Sequence, residues 1–225
     1  MIKTLKSIFL VVLNLLCISN TTQAQSIEFR AGLNQNKFFD IQKGEAPYNT
    51  PIYSSELGSY FSISLNDVKV DSFYYDISIA FENYSGTARA RSGGIGGGRS
   101  VNAEINKSVL SIGVVPFKQK LHKNLNLDVG FVFSILVNES FNGTVTQSAG
   151  NIPTTTSLTQ EYTKFNSAIT FGLLARLNYN IDINDKLVLS PFYAYYIGII
   201  NEFIDFPAST KSMRHQLGIG IKMDL

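Results

Sequence analysis

The last thirteen residues of the chain alternate between apolar and polar side chains without a break. From position 213 the odd positions read Met, His, Leu, Ile, Ile, Met and Leu, and the even ones read Arg, Gln, Gly, Gly, Lys and Asp. A period of two places successive side chains on opposite faces of a β-strand. Apart from His215, one face of this predicted strand is apolar.

The same alternation recurs seven times upstream, clearly at 73–82, 125–135 and 169–179, and more weakly at 27–36, 57–65, 101–114 and 187–199. Several of these eight strands exceed the roughly five or six residues of an ordinary strand and approach the roughly nine to eleven that a membrane strand needs. The sequence predicts an all-β fold, an eight-stranded antiparallel up-and-down transmembrane β-barrel.

The predicted connections alternate in length along the chain. Short ones lie at 66–71, 116–123 and 182–186, and long ones lie at 38–53, 85–100, 138–162 and 201–211. This places four longer loops at one end of the barrel and three short turns at the other, as in outer-membrane barrels with longer extracellular loops and short periplasmic turns. The glycine-rich segment 92–100 and the Thr/Ser-rich segment 149–159 are interpreted as flexible loop tips.

The first 24 residues have the pattern of a cleaved signal peptide, which leaves residues 25–225 as the barrel domain. Lys3 and Lys6 precede a short apolar run, and small residues at the predicted cleavage site end with Ala24. Removing these residues leaves 17 basic residues against 17 acidic ones, and a neutral chain argues against nucleic acid as a partner. Cys17 is the single cysteine, so disulfides are not expected to stabilise the mature chain.

Alternation alone does not say which face points outward. A soluble lipocalin-like barrel would turn its apolar face inward around a hydrophobic ligand. The wide, aromatic-rich and nearly uncharged apolar face, the strand lengths and the asymmetry of the loops favour a barrel in a membrane. Aromatic residues near the predicted strand ends are interpreted as two interfacial girdles: Phe38, Phe39, Tyr53, Tyr84, Phe141, Tyr162 and Phe203 at one end, and Phe73, Phe117, Tyr179 and Phe192 at the other.

Charged residues on the polar face are predicted to lie inside the barrel. An eight-stranded barrel has room inside only for side chains, and burying a charge without a partner is costly. We therefore expect a structural ion network rather than a wide pore, although a narrow conducting path stays open as an alternative. Its predicted members are Asp76, Glu82, Glu104, Arg176 and Arg214.

The first and last predicted strands carry a resemblance to a known family. The segments 29–34 and 217–225, together with the signal peptide ending at Ala24, resemble the Bacteroidetes-type outer-membrane β-barrel (porin-like) family. The resemblance implies that the barrel-assembly machinery recognises the last strand, with Leu217, Ile219, Ile221, Met223 and Leu225 as the candidate assembly signal. The chain ends in Leu225, where such families usually have an aromatic residue.

No catalytic, cofactor-binding or metal site is predicted. His215 suggests a lipid-A-modifying enzyme as an alternative, but lipid A deacylases have Ser two residues after the His, and this position is Leu217. Arg89, Arg91 and Arg99 are candidates for contact with lipopolysaccharide phosphates, because Arg binds phosphate bidentately.

The leading interpretation is a non-enzymatic integral barrel of the outer membrane, acting as a structural component, a surface-loop interaction module or a very small porin. No cofactor is expected. The expected partners are outer-membrane lipid, lipopolysaccharide and, during biogenesis, the barrel-assembly machinery. The loop at 138–162 is the predicted place for a further, unidentified partner.

Overall fold

The computed structural model describes residues 25–40, 52–94, 96–149, 152–158, 166–204 and 209–225. The predicted signal peptide, residues 1–24, lies outside these described residues. Within the described ranges, no helix is long and apolar enough to cross a membrane.

Eight long strands form the barrel, and three short strands extend it. The long strands are β1 (Ser26–Asp40), β3 (Ser55–Val70), β4 (Phe73–Gly94), β5 (Gly97–Lys120), β6 (Leu125–Ala149), β8 (Ile169–Tyr179), β10 (Leu187–Gly198) and β11 (Thr210–Asp224). The short strands are β2 (Ile52–Tyr53), which pairs with β4, β7 (Ile152–Leu158), which pairs with β6, and β9 (Ile181–Asn184), which pairs with β10.

The sheet closes on itself through the first and last long strands. Each long strand pairs antiparallel with the next one along the chain, and β11 pairs with both β10 and β1. Phe29 of β1, for example, lies opposite Ile63 of β3 on one side and Ile221 of β11 on the other. Closure leaves no free edge around the body of the barrel. The predicted eight-stranded antiparallel barrel is confirmed.

The two ends of the barrel differ in their connections. At one end, here the short-turn end, tight turns join β3 to β4 at 71–72 and β9 to β10 at 185–186, and Ser26 lies opposite Asp224. Asp67 and Asp71 have positive φ angles of 56° and 54° at this end, a conformation that Asp tolerates better than most residues. The opposite end is called the long-loop end.

At the long-loop end, the structure differs from the predicted loops. β4 and β5 remain paired out to Gly94 and Gly97, around a turn in which Gly96 has a φ of +105°. β6 continues to Ala149, and β7 folds back along it. Much of the segments predicted as loops at 85–100 and 138–162 is therefore a β-ribbon, here called the upper extension and consisting of 83–94, 97–108, 138–149, β2 and β7.

The part of the barrel between the short-turn end and the row Phe81, Leu110 and Ile135 is called the lower barrel. These three residues lie side by side on β4, β5 and β6. In the lower barrel, the apolar members of each alternating strand point outward and the polar members point inward. The outward residues with large exposed surfaces include Phe61, Ile63, Phe81, Phe131, Leu173, Leu177, Leu217, Ile219 and Ile221.

Large aromatic rings fill part of the interior where the opposing strand carries glycine. A Cβ added to Gly172 would lie 2.5 Å from the ring of Tyr196, and one added to Gly218 would lie 2.9 Å from the ring of Phe192. Both distances are too short for a real contact, so these two glycines make the space for the rings. Tyr196 and Phe192 pack with Tyr60, Val132 and Leu174 in the middle of the barrel.

Candidate functional site

The inward-facing charges of the lower barrel form separate buried ion pairs. Arg214 is fully buried and its Nη1 lies 3.0 Å from Oε2 of Glu82. The same carboxylate oxygen accepts a hydrogen bond from Nε2 of Gln216 at 2.9 Å, and its partner oxygen accepts one from the hydroxyl of Ser111 at 3.2 Å. The guanidinium of Arg214 also lies 3.7 Å from the ring centre of Tyr196, a cation–π contact.

A second buried pair lies closer to the short-turn end. Nη2 of Arg176 lies 2.8 Å from Oδ2 of Asp128, and Nδ2 of Asn178 donates to the same oxygen at 2.6 Å. Arg30 pairs with Glu28 nearby, on β1. These charges are held by hydrogen bonds as well as by their partners, which is the condition under which a buried pair is tolerated.

A further pair lies at the short-turn end itself. Oδ1 of Asp76 accepts from Nζ of Lys118 at 2.8 Å and from the backbone N–H of Asp67 at 2.9 Å. Lys118 also contacts Asp67 at 2.6 Å. The predicted interior residues Asp76, Glu82, Arg176 and Arg214 are therefore all buried, but they form three separate ion pairs: Glu82 and Arg214 pair with each other, Asp76 pairs with Lys118, and Arg176 pairs with Asp128.

Glu104, the fifth predicted member, does not lie inside. It is exposed on the outward face of β5, between the buried residues Ala103 and Ile105. The prediction took the polar face of every strand as the inner face. In the upper extension the inner face is apolar and the outer face is polar, so the same assumption places Glu104 on the wrong side.

The sequence prediction also missed an ion pair at the long-loop end. Nζ of Lys107 lies 2.9 Å from Oε2 of Glu202, and both side chains are almost completely buried. Tyr84 and Ser212 donate hydrogen bonds to the two oxygens of Glu202. Burial alone would raise the pKa of Glu202, but the charges of Lys107 and Arg214 and the hydrogen bond from Ser212 outweigh it, so its pKa is lowered.

Around this pair, apolar side chains close the long-loop end from inside. This mouth cluster consists of Phe38, Tyr84, Ala88, Val101, Ala103, Ile105, Val109, Phe141, Val145 and Phe203. Phe203 comes from the connection between β10 and β11, and its ring lies 5.1 Å from that of Phe38 and 5.0 Å from Nζ of Lys107. Four residues predicted for the interfacial girdle on this side, Phe38, Tyr84, Phe141 and Phe203, are instead interior.

The interior is open at one end and narrow in the middle. A polar cavity of about 280 Å³ lies at the short-turn end, among Arg30, Asp76, Lys118, Asp128 and Lys222. A separate small cavity of about 20 Å³ lies beside Glu82 and Tyr196 in the middle of the barrel, roughly the space of one water molecule. The buried pair of Glu82 and Arg214 and the ring of Tyr196 lie together at this level of the interior.

His215 lies on the outward face of β11. Its Nδ1 lies 2.6 Å from the hydroxyl of Tyr193, and its ring lies 5.2 Å from that of Tyr195. Among the described residues, no group of three His, Cys, Asp or Glu side chains could hold a metal ion.

The three arginines considered as phosphate ligands do not share a face. Arg89 and Arg91 are exposed on the outer face of β4, where Nε of Arg89 donates to Asn102 at 2.8 Å. Arg99 has the inward parity of β5, like the buried Val101 and Ala103. Arg99 therefore lies on the opposite side of the sheet from Arg89 and Arg91, and contact of these arginines with lipopolysaccharide phosphates stays a prediction.

The residues of the candidate assembly signal all point outward from the last strand. Leu217 is 68% exposed and Leu225 is 76% exposed, and Ile219, Ile221 and Met223 lie exposed between them. With the outward residues of the other strands, they form a continuous apolar belt around the lower barrel.

The chain is similar to several solved outer-membrane proteins. The attachment invasion locus protein of Yersinia pestis is 10% identical, with a TM-score of 0.41 over 89% of this chain and 100% of that one. Neisserial surface protein A is 11% identical, with a TM-score of 0.42 over 92% and 100%. The outer membrane protein OprG from Pseudomonas aeruginosa is 10% identical, with a TM-score of 0.43 over 90% and 98%. No family model matches the sequence, and no curated protein does.

Proposed function

We propose that this chain is a non-enzymatic integral β-barrel of the bacterial outer membrane that displays its upper extension at the cell surface. One observation carries the proposal: the lower barrel has its polar side chains buried inside and its apolar side chains exposed outside. Phe61 is 51% exposed, whereas Arg214 is fully buried. In water this arrangement would leave a large apolar belt uncovered, and in a bilayer lipid covers it.

The soluble lipocalin-like alternative is wrong for the lower barrel. A soluble barrel buries its apolar face around the ligand, whereas the space at the short-turn end is lined by charged and amide side chains. The very small porin is disfavoured by the layer of Tyr196, Glu82 and Arg214 across the interior and by the mouth cluster above it. A surface-interaction barrel agrees with both the polar space at the short-turn end and the closed interior at the long-loop end.

Export and assembly belong to the same proposal. Residues 1–24 would be removed as a signal peptide, and the outward residues of β11 would be recognised by the barrel-assembly machinery as in the Bacteroidetes-type family that the sequence resembles. Lipid and lipopolysaccharide would surround the belt. The short-turn end would then face the periplasm and the long-loop end the cell exterior.

The experiment is heat modifiability of the full chain in the outer-membrane fraction. A closed barrel stays folded in SDS at room temperature, so boiled and unboiled samples are expected to migrate differently, and the protein is expected to resist carbonate extraction. Recovery in the soluble fraction without a gel shift would contradict the proposal. In planar bilayers we expect no stable conductance. Regular conductance steps would instead support the alternative that the chain is a very small porin.

The lipid-modifying enzyme has its own test. His215→Ala is expected to leave the lipid A of the host unchanged relative to the wild type by mass spectrometry. Loss of a wild-type lipid A modification in this variant, with the gel shift intact, would make the chain an enzyme.

A further inference from the structure

Six polar, uncharged side chains form a regular patch on the outer surface, directly above the apolar belt. On β4, β5 and β6 the register places Ser85 opposite Asn106 and Asn106 opposite Ser140 in one row. The row below it contains Asn83, Ser108 and Asn138. These six residues are called the Asn/Ser patch.

The Asn/Ser patch borders a groove with free hydrogen-bonding capacity. All six side chains line a surface cavity of about 330 Å³, a volume within the lower range of small-molecule sites. Among the described residues, the side chains of Asn106, Ser108, Asn138 and Ser140 take part in no hydrogen bond. Asn and Ser side chains each both donate and accept, so the groove offers donors and acceptors side by side.

The charges around the groove favour neutral hydroxyl groups over phosphate as its ligand. No Lys or Arg lies in the Asn/Ser patch; Lys107 also lines the cavity, but its Nζ is buried in the pair with Glu202. Exposed carboxylates border the patch: Glu56 accepts from Ser85 at 2.6 Å, and Glu104 lies in the row above. Phosphate is bound best by Arg and Lys, and carboxylates repel it. Neutral hydroxyl groups, which donate and accept as the amides do, are the chemistry that this surface matches.

The position of the patch identifies the source of those hydroxyls. The row immediately below it is Phe81, Leu110 and Ile135, the upper edge of the apolar belt. A lipid with its acyl chains against these three residues therefore places its headgroup on the patch, with no loop between them. Three strands at about 4.8 Å spacing make the patch about 10 Å wide.

We propose that the Asn/Ser patch binds the neutral sugar headgroup of a glycolipid in the outer leaflet. The inference rests on the proposed membrane location and adds a ligand class and a site to it. It is separate from the predicted contact of Arg89, Arg91 and Arg99 with lipopolysaccharide phosphates and concerns a hydroxyl contact at the level of the membrane surface. The lipid, and not a soluble sugar, is the ligand because Phe81, Leu110 and Ile135 in the belt contact its acyl chains while the patch binds its headgroup.

The test measures binding of a monoglucosyl diacylglycerol, a glycolipid without phosphate, to the full-length barrel by native mass spectrometry from detergent. Asn106→Ala combined with Asn138→Ala is expected to bind this lipid about tenfold more weakly, since each lost hydrogen bond contributes about a third to one power of ten in affinity. The matched control, Asn102→Ala with Asn142→Ala, changes the same residue type on the same two strands farther from the belt and is expected to bind as the wild type does.

Two further arms make the result specific. Phosphatidylglycerol, which has the acyl chains without a sugar, and maltose, which has the sugar without acyl chains, are each expected to bind at least tenfold more weakly than the glycolipid. Equal binding of either, or an unchanged affinity in the Asn106/Asn138 variant, would overturn the proposal. So would an equal loss in the control.

Folding is monitored separately by heat modifiability of every variant. A second variant, Asn106→Leu with Ser140→Leu, removes the polar groups of Asn106 and Ser140 and fills the groove, and is expected to show a loss of similar size. If the wild type itself showed no gel shift, the membrane location would fail; a normal shift with no selective glycolipid binding would overturn the patch alone.

Discussion

The lower barrel and the upper extension are built from the same strands with opposite polarity. On β4, outward Phe81 and inward Glu82 are followed by outward Asn83 and inward Tyr84. On β5, going toward the long-loop end, the outward face changes from apolar Leu110 to polar Ser108. The inward face changes from polar Ser111 to apolar Val109 and Ile105. The alternation of faces continues through this row, but its sign reverses.

The reversal shows that the pattern of apolar and polar residues along a strand depends on the medium around each part of the strand as well as on strand pairing. In the lower barrel, buried ion pairs such as Arg214–Glu82 occupy the interior and apolar side chains cover the outside. In the upper extension, the mouth cluster occupies the interior and Asn, Ser and Thr cover the outside. An apolar solvent around the first region and water around the second account for both patterns.

The largest expected effect is in the lower interior. Arg214→Met leaves Glu82 buried without a charged partner and is expected to lower the free energy of unfolding by about 3–5 kcal/mol. Urea unfolding in lipid vesicles, followed by the gel shift, measures it. Adding Glu82→Gln is expected to recover much of the loss, and a single-variant loss below about 1 kcal/mol would mean that this pair is accessible to water.

Next in size is a lysine placed on the outward face of β5. Ile112→Lys lies in the belt, between Ile79 and Phe133, and is expected to cost about 2–4 kcal/mol in a bilayer. Asn102→Lys, on the same face in the upper extension, is expected to stay within about 0.5 kcal/mol of the wild type. Equal losses of stability at the two positions, by the same urea measurement, would contradict the claim that lipid surrounds the first region and water the second.

A smaller effect is expected when one methylene group is removed from an isoleucine in each region. Ile105 is buried in the mouth cluster, and Ile105→Val is expected to cost about 0.5–1.5 kcal/mol because the space it leaves stays empty. Ile112→Val should cost close to nothing, since lipid chains are as apolar as the side chain and fill the space. A larger loss at Ile112 than at Ile105 would indicate that protein, and not lipid, packs against the belt.

The smallest expected effect is the pH response of the long-loop end. The folded protein lowers the pKa of Glu202 below its ordinary value of 4.5, chiefly through Lys107 acting against burial. Its charge therefore stabilises the fold above about pH 4.5, and this contribution is lost as the pH falls through the lowered pKa of the folded state. Arg214 and Tyr84 also face this carboxylate.

The readout for this loss is the ¹⁹F NMR signal of fluorinated Phe203. The signal is expected to change only as the pH falls below about 4.5, and Glu202→Gln should remove that change. A transition between pH 7 and 5 would assign the response to another group.

The strands of the lower barrel could be predicted because every one of them separates an apolar from a polar medium. The alternation at 213–225 locates β11, which the structure places at Thr210–Asp224. The same signal located the buried Asp76, Glu82, Arg176 and Arg214, because each interrupts an apolar alternation on the polar face. It did not identify which of them pair with each other, as Glu82 and Arg214 do, or that Lys118 and Asp128 are the partners of the other two, since strand register across the barrel is not encoded in local periodicity.

Most of the upper extension could not be predicted with the same rule, although the weak alternation at 101–114 includes residues 101–108. Its outward face is Asn, Ser and Thr and its inward face has small residues such as Ala88 and Ala103, so the segment looks like a polar loop. Glu202 gave no signal because it lies in an irregular connection. Lys107 did give one, as a single charge between Ile105 and Val109 on the inward face, and it indicates a buried partner.

The most direct test of the reversal is a nitroxide scan along the outward face of β5. Single cysteines carrying a spin label at positions 102, 104, 106, 108, 110, 112 and 114 are compared in a bilayer by their collision rates with oxygen and with a water-soluble nickel complex. Labels at 110, 112 and 114 are predicted to be exposed to lipid and those at 102, 104 and 106 to water, with the change at 108. Water exposure at 110–114, or uniform exposure along the strand, would contradict a membrane surface at the Asn/Ser patch.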